Sequence, residues 1–325
     1  MVTAYLFDRR QGKSVDDWAK ALAGLGKNDV LWLDLEGASE DEQHEVHEAL
    51  ELGDAARSAL GDPEVKPRLE QHEGYLRVTA VAVSDEEHDP SRETVVVDCF
   101  VGANWILTAH KTEVAVVEDF RRVAAGEGEI GILDAPSFLA ALLEWVVTSY
   151  LRAFDEIEAT LEEFDVNALA HPTNHPEEQI EMLVEARRRV GRLRRALAPH
   201  REVFAALSHS ELDPISSEGS AERFGELTLR LDAALASARD ARDGIASSFD
   251  VLIVRTEHRT NEIMKVLTLA SILLLPGALI AGVAGMNVNF SARTFEQSAL
   301  FWVVVAAIVL IALATLALAR LRRWI

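Results

Sequence analysis

The sequence predicts a mixed α/β domain, then a long helix that continues into a two-helix membrane domain at the C-terminus. Three observations predict this class. Strand-like runs are confined to the first third of the chain, a nearly unbroken helical pattern follows residue 112, and two charge-free runs lie near the end. With 325 residues and 49% apolar content, the chain can bury a sizeable core and hold more than one domain.

The runs "TAYLFD", "DVLWLDLE", "GYLRVTAVAV", "TVVVDCFV" and "NWILTAH" read as strands, because apolar and β-branched residues are bounded by Gly, Asp and Asn. Between them "SEDEQHEVHEALELG" reads as a helix, with Ser39 placed to cap its start and Gly53 to stop it. Residues 1–135 are therefore expected to form a cytoplasmic α/β domain. Residues 136–215 read as a cytoplasmic helical region. One helix opens at Ser137 and runs to "HPTNHPEE"; a second, basic at its centre, covers "EEQIEMLVEARRRVGRLRRALAPHREVFAAL".

After the linker-like "SHSELDPISSEG", only Gly244 and Pro276 interrupt a helical pattern that enters the first charge-free run. Leu227, Leu231, Ala234, Ala238, Ala241, Ile245, Phe249 and Leu252 recur at spacings of three and four, so they share one face for packing. Some 60 residues would give a helix on the order of 90 Å long. Residues 216–284 are expected to be this stalk and the first span, 285–298 an external loop, and 299–325 the second span with a basic cytoplasmic tail.

Residues 266–284 and 299–319 carry no charge over 19 and 21 positions. About 20 helical residues cross a bilayer core. Arg255, Arg259 and Lys265 precede the first span and Arg320, Arg322 and Arg323 follow the second, whereas the loop holds only Arg293. The positive-inside rule then places both termini in the cytoplasm of an inner or plasma membrane protein. The N-terminus shows no cleavable signal pattern. A single cysteine, Cys99, excludes an internal disulfide and fits a reducing compartment. The net charge of −21 argues against nucleic acid and is compatible with a body that attracts cations.

Within the first span, steps of three and four connect Asn261, Met264, Thr268, Ser271, Leu275, Ala278 and Gly282. This face is small, polar or flexible, and the positions between are mostly Leu, Ile and Val. Such a stripe serves either close helix packing in lipid or the wall of a pathway. It ends at "GMN", Gly285, Met286 and Asn287, where backbone and amide oxygens can accept hydrogen bonds from the waters of a hydrated cation. The same three residues also suit an ordinary helix end.

"RTNEIMKVLTLASILLLPGALIAGVAGMN" resembles the CorA family of divalent-cation channels, whose signature is Gly-Met-Asn at the end of the first of two C-terminal spans. "LWLDLEG", "KPRLEQHEGYLRVTAVAV" and "VDCFVGANWILTAH" resemble that family's N-terminal segments. The resemblance implies a homopentameric funnel in lipid, with five first spans lining a pore. It implies that Gly285, Met286 and Asn287 form the selectivity filter and that Asn261 lies at the cytoplasmic entrance. Met264, Leu267 and Leu275 would fall at apolar constrictions, with Gly282 on the wall. Glu226 and Asp250 would be regulatory metal carboxylates. The passing ion would be magnesium, with cobalt, nickel or zinc as further candidates. Ala284 stands where the family usually has an aromatic residue, and "VNFSARTFEQS" replaces its acidic loop. A zinc transporter of the ZntB branch and a non-conducting, membrane-anchored divalent sensor are accordingly the alternatives.

Enzymatic chemistry has little support. "HEVHE" lacks histidines four apart, His171 and His175 suit a polar turn, and no Walker loop, nucleophile elbow or paired-cysteine site is present.

Overall fold

The computed structural model describes residues 2–7, 12–26, 29–53, 66–84, 93–112, 114–122, 134–170, 176–209, 220–285 and 297–321. It divides into two compact units, residues 1–249 and 250–325.

In the N-terminal unit, seven strands form one sheet in the order β2-β1-β3-β7-β6-β5-β4. They are β1 (Val2–Phe7), β2 (Gly12–Ser14), β3 (Val30–Glu36), β4 (Arg68–Gln71), β5 (Leu76–Val83), β6 (Thr94–Val101) and β7 (Trp105–His110). β3 and β7 are parallel, and every other pairing is antiparallel. Successive side chains of a strand face opposite ways, so β3 feeds two cores. Leu31, Leu33 and Leu35 pack with Val46 and Leu50, whereas Val30 and Trp32 pack toward Phe138, Leu142 and Val146. All five expected strands are present. β2 and β4 were not expected: they are short and carry no apolar alternation.

Helix α1 spans Trp18–Ala23 and α2 spans Glu40–Ala49. Ser39 caps α2 as expected: the Ser39 N–H donates to Glu42 Oε2 (2.9 Å) while the Glu42 N–H donates to Ser39 Oγ (3.3 Å). Gly53 is not its stop. The helix ends at Ala49 and the chain turns at Glu51, which adopts a left-handed φ of 54°.

α3 spans Ala115–Arg122 and α4 spans Ala135–Ala170. α4 is apolar enough to cross a membrane, but 61% of its most apolar window is buried, so it is a core helix. The expected second helix is two: α5 (Pro176–Leu197) and α6 (His200–Leu207). Pro199 separates them, as a residue without an N–H that disfavours helix in its predecessor.

The break serves the sheet. β4 pairs β5 only from Leu76 to Thr79, leaving the far half of that edge open. Helices fill the gap with side chains. Tyr150 Oη donates to the Val81 carbonyl (2.8 Å), the Val81 N–H donates to His200 Nε2 (3.1 Å), and the Val83 N–H donates to Ser149 Oγ (3.3 Å).

α7 runs from Ser220 to Gly285 without interruption, 66 residues that include Gly244 and Pro276. Up to Ile245, its buried face is the expected one, with Leu227, Leu231, Ala234, Ala238 and Ala241 in the core. α8 spans Gln297–Leu321.

Candidate functional site

In the C-terminal unit, α7 carries the expected stripe. Asn261, Met264, Thr268, Ser271, Leu275, Ala278 and Gly282 are all exposed, as is Leu267. The partly covered positions are instead Leu269, Leu273, Pro276, Gly277 and Ile280. At about 100° per residue, these two sets lie on roughly opposite sides of the helix. The covered side belongs to α8: a Cβ placed on Gly277 would sit 3.4 Å from Ile308 Cγ2. Packing of the two membrane helices therefore uses the other face and does not account for the stripe.

The stripe's hydroxyls are already committed as donors. Thr268 Oγ1 donates to the Met264 carbonyl (2.7 Å) and Ser271 Oγ to the Leu267 carbonyl (2.8 Å). With the proton turned back onto the helix, each oxygen presents lone pairs outward. Such an oxygen accepts from the water of a hydrated cation and has no proton left to aim at the metal. At Gly282 a Cβ would meet nothing within 4 Å, so that point of the face is open. None of the most apolar window of α7 is buried within the chain.

Gly285 is the last residue of α7. Met286 and Asn287 lie outside the described residues, as do His171 and His175.

Glu226 lies on the N-terminal part of α7 and lines a cavity of about 260 Å³ with Glu144, Arg223 and Arg230. Arg230 and Glu144 form an ion pair there. Asp250 is exposed at the start of the C-terminal unit. Among the described residues, no group of three or more His, Cys, Asp or Glu side chains is arranged to hold a metal ion.

One charged cluster escaped the sequence reading. Asp34, fully buried at the end of β3, accepts from Thr108 Oγ1 and from Arg121 Nη2 (2.6 Å), and lies 3.2 Å from His110 Nε2. His110 Nδ1 lies 2.6 Å from the Thr112 carbonyl. Since a carboxylate and a carbonyl only accept, both ring nitrogens donate and His110 is an imidazolium. Burial opposes both charges, but the mutual hydrogen bond and attraction outweigh it. The Asp34 carboxyl is held below its ordinary value and the His110 imidazole above its own. Arg121 also reaches Glu118 (2.7 Å) and Glu36 (3.4 Å), so its guanidinium sits among three carboxylates. A lone Asp inside "LWLDLE" and a His closing "ILTAH" were the available signals.

A family model described as CorA-like Mg2+ transporter protein matches residues 27–323. The chain is 23% identical to the cobalt/magnesium transport protein CorA of Methanocaldococcus jannaschii over 91% of its own length and 92% of the relative's. The complete structure of that organism's CorA magnesium transporter superposes with a TM-score of 0.79 at 20% identity, covering 100% of this chain and 99% of that one. The full-length CmaX protein gives 0.73 at 22% identity, covering 99% and 97%. The ZntB cytoplasmic domain from Vibrio parahaemolyticus gives 0.63 at 14% identity, covering 79% and 98%.

Proposed function

The chain belongs to the CorA-like Mg2+ transporter family, and from that membership we propose a homopentameric channel that passes magnesium across an inner or plasma membrane. It is a divalent-cation transporter of the membrane and not an enzyme. The observation that carries the proposal is the exposed stripe of α7, turned away from α8 and lined with acceptor-only hydroxyls. Two spans per chain cannot enclose a pore, so five copies of α7 would bring their stripes together around one axis.

In that arrangement Asn261 stands at the cytoplasmic entrance, and Met264, Leu267 and Leu275 form apolar constrictions. Thr268, Ser271, Ala278 and Gly282 line the wall, and Gly285, Met286 and Asn287 form the outer filter. Magnesium loses its waters reluctantly, so a ring of neutral oxygens selects it with its hydration shell in place and binds weakly enough to release it. The domain limits follow the same reading: 1–135 and 136–215 cytoplasmic, 216–284 stalk and first span, 285–298 external loop, 299–325 second span and tail. Both termini are cytoplasmic. Glu226 and Asp250 are the proposed regulatory carboxylates. Among the described residues neither belongs to a group of three or more metal-binding side chains, Glu226 having only Glu144 beside it in its cavity, and in the proposed pentamer a neighbouring subunit would supply further ligands.

The test is uptake into liposomes containing the full chain, measured separately for magnesium, cobalt, nickel and zinc. Magnesium uptake abolished by Asn287→Ala is the expected result. Zinc uptake alone would move the protein to the ZntB-like reading. Uptake of all four ions no faster than in empty vesicles would leave a non-conducting divalent sensor.

A further inference from the structure

α5 and α7 enclose a groove of about 820 Å³ within the N-terminal unit. Arg187, Arg194 and Arg195 line one wall together with Arg188 and Arg192, and Arg239 and Arg242 line the other. Its floor is apolar, formed by Val190, Ala238 and Ile245, which are nearly fully buried. We infer that this groove is a binding site for a multiply charged phosphate anion, of the class of tripolyphosphate or a nucleoside triphosphate.

Charge makes the groove unusual in this chain. With 53 acidic residues against 32 basic ones, carboxylates are abundant enough to partner every arginine. Two of the groove's own arginines are partnered, Arg188 by Glu185 (3.8 Å) and Arg192 by Glu93 (2.9 Å) and Glu185 (3.0 Å), as is the adjacent Arg189 by Glu93 (2.7 Å). Among the described residues, the other five groove arginines form no ion pair within 4.0 Å. Asp243 lines the groove and makes none either. Five guanidinium groups gathered on facing helices repel one another, and an anion between them removes that cost.

The bland explanation is a solvated basic face. The C-terminal dipole of α5 accounts for Arg194 and Arg195, which stand in its last turn. It does not reach Arg187, and Arg239 and Arg242 lie in the middle of α7. Gly191 supplies a second argument. It sits in the α5 wall between Arg187 and the Arg194–Arg195 pair, and a Cβ there would come 3.4 Å from Arg195 Nη1. The missing side chain lets the Arg195 guanidinium lie against the α5 backbone at the groove. The planar forks of guanidinium groups bind phosphate oxygens two at a time. The volume falls within the range of about 300–1,000 Å³ typical of small-ligand sites. Both walls come from one chain, so the site is complete without a partner.

The experiment is a binding titration of the full-length protein in detergent, with EDTA present, using tripolyphosphate, ATP and orthophosphate as probes. Tripolyphosphate and ATP should bind with Kd below about 1 mM, and orthophosphate at least about tenfold more weakly. Equal affinity for tripolyphosphate and ATP assigns recognition to phosphate alone, and tighter ATP binding adds the nucleoside. The double variant Arg239→Glu/Arg242→Glu and, on the opposite wall, Arg187→Glu should each weaken binding about tenfold or more without changing the mass of the complex. No binding of any probe overturns the inference, as does binding that both variants leave intact. A fall in the mass of the complex in either variant would instead make the groove a contact between copies of the chain. Because no flux is measured, failure here is separate from failure of the transport reading.

Discussion

Two buried histidines set opposite pH responses in the N-terminal unit. His200 accepts the Val81 N–H on Nε2, so its proton is on Nδ1, facing the Leu197 carbonyl (3.0 Å), and the ring is neutral. Burial pushes this imidazole down to about 4. The folded state therefore binds fewer protons than the unfolded chain between that value and about 6.5. The resulting stability is complete above about 6.5 and is lost as pH falls toward 4, a swing of about 3 kcal/mol. His110 is the reverse case. Its raised value means a contribution that is complete below about 6.5 and is lost as pH rises through the folded value. Chemical denaturation of the full-length protein across pH 4–9 checks both. His200→Gln keeps an acceptor for Val81 and should flatten the acid limb relative to the parent, whereas His110→Asn should flatten the alkaline limb. An acid limb that His200→Gln leaves unchanged would show that other groups control it.

At the scale of elements, what could be read in advance depended on how far apart the deciding residues lie. Strands β3, β5 and β6 announce themselves as near-continuous apolar runs because both sheet faces are covered, and Ser39 with Glu42 is a local cap. The α7 stripe is equally local, a period of about 3.6 along one helix. That it faces away from α8 is not local, because the partner of Gly277 is Ile308. The Asp34 cluster joins residues 74 to 87 positions apart, and no periodicity reveals such contacts. The edge of β5 was equally hidden, since its caps Tyr150 and His200 come from helices of ordinary pattern. Gly277 and Gly282 offer a test that separates helix packing from the proposed conduction. Gly277→Leu crowds Ile308 and should lower the thermal stability of the detergent-solubilised protein. Gly282→Leu points into open space, so it should leave stability near the parent value while reducing magnesium flux about tenfold or more. Unchanged flux in Gly282→Leu would remove the stripe from the conduction wall.

At the scale of the molecule, exposure of apolar surface is the strongest constraint. Leu274, Leu275 and Leu279 are each about two-thirds exposed on α7, and so are Trp302 and Leu310 on α8. Lipid can cover leucine, but it cannot cover Thr268 and Ser271 as well as water or another polar wall can. A helix with lipid-compatible flanks and one polar-small face needs other helices around that face. Among the described residues of the C-terminal unit, a single copy supplies only α8, which is on the opposite side. Symmetry then brings identical stripes together: cyclic closure places every copy's stripe on one axis without new sequence information. The proposed homopentamer makes the expected number five. Light scattering combined with absorbance on the detergent complex should return five copies of the 35.7 kDa chain after subtraction of detergent. A monomer or dimer would leave the polar face of α7 without a lining role and would defeat the channel geometry. Any other closed ring would keep the pathway and change only its width, which the flux of hydrated magnesium would then report.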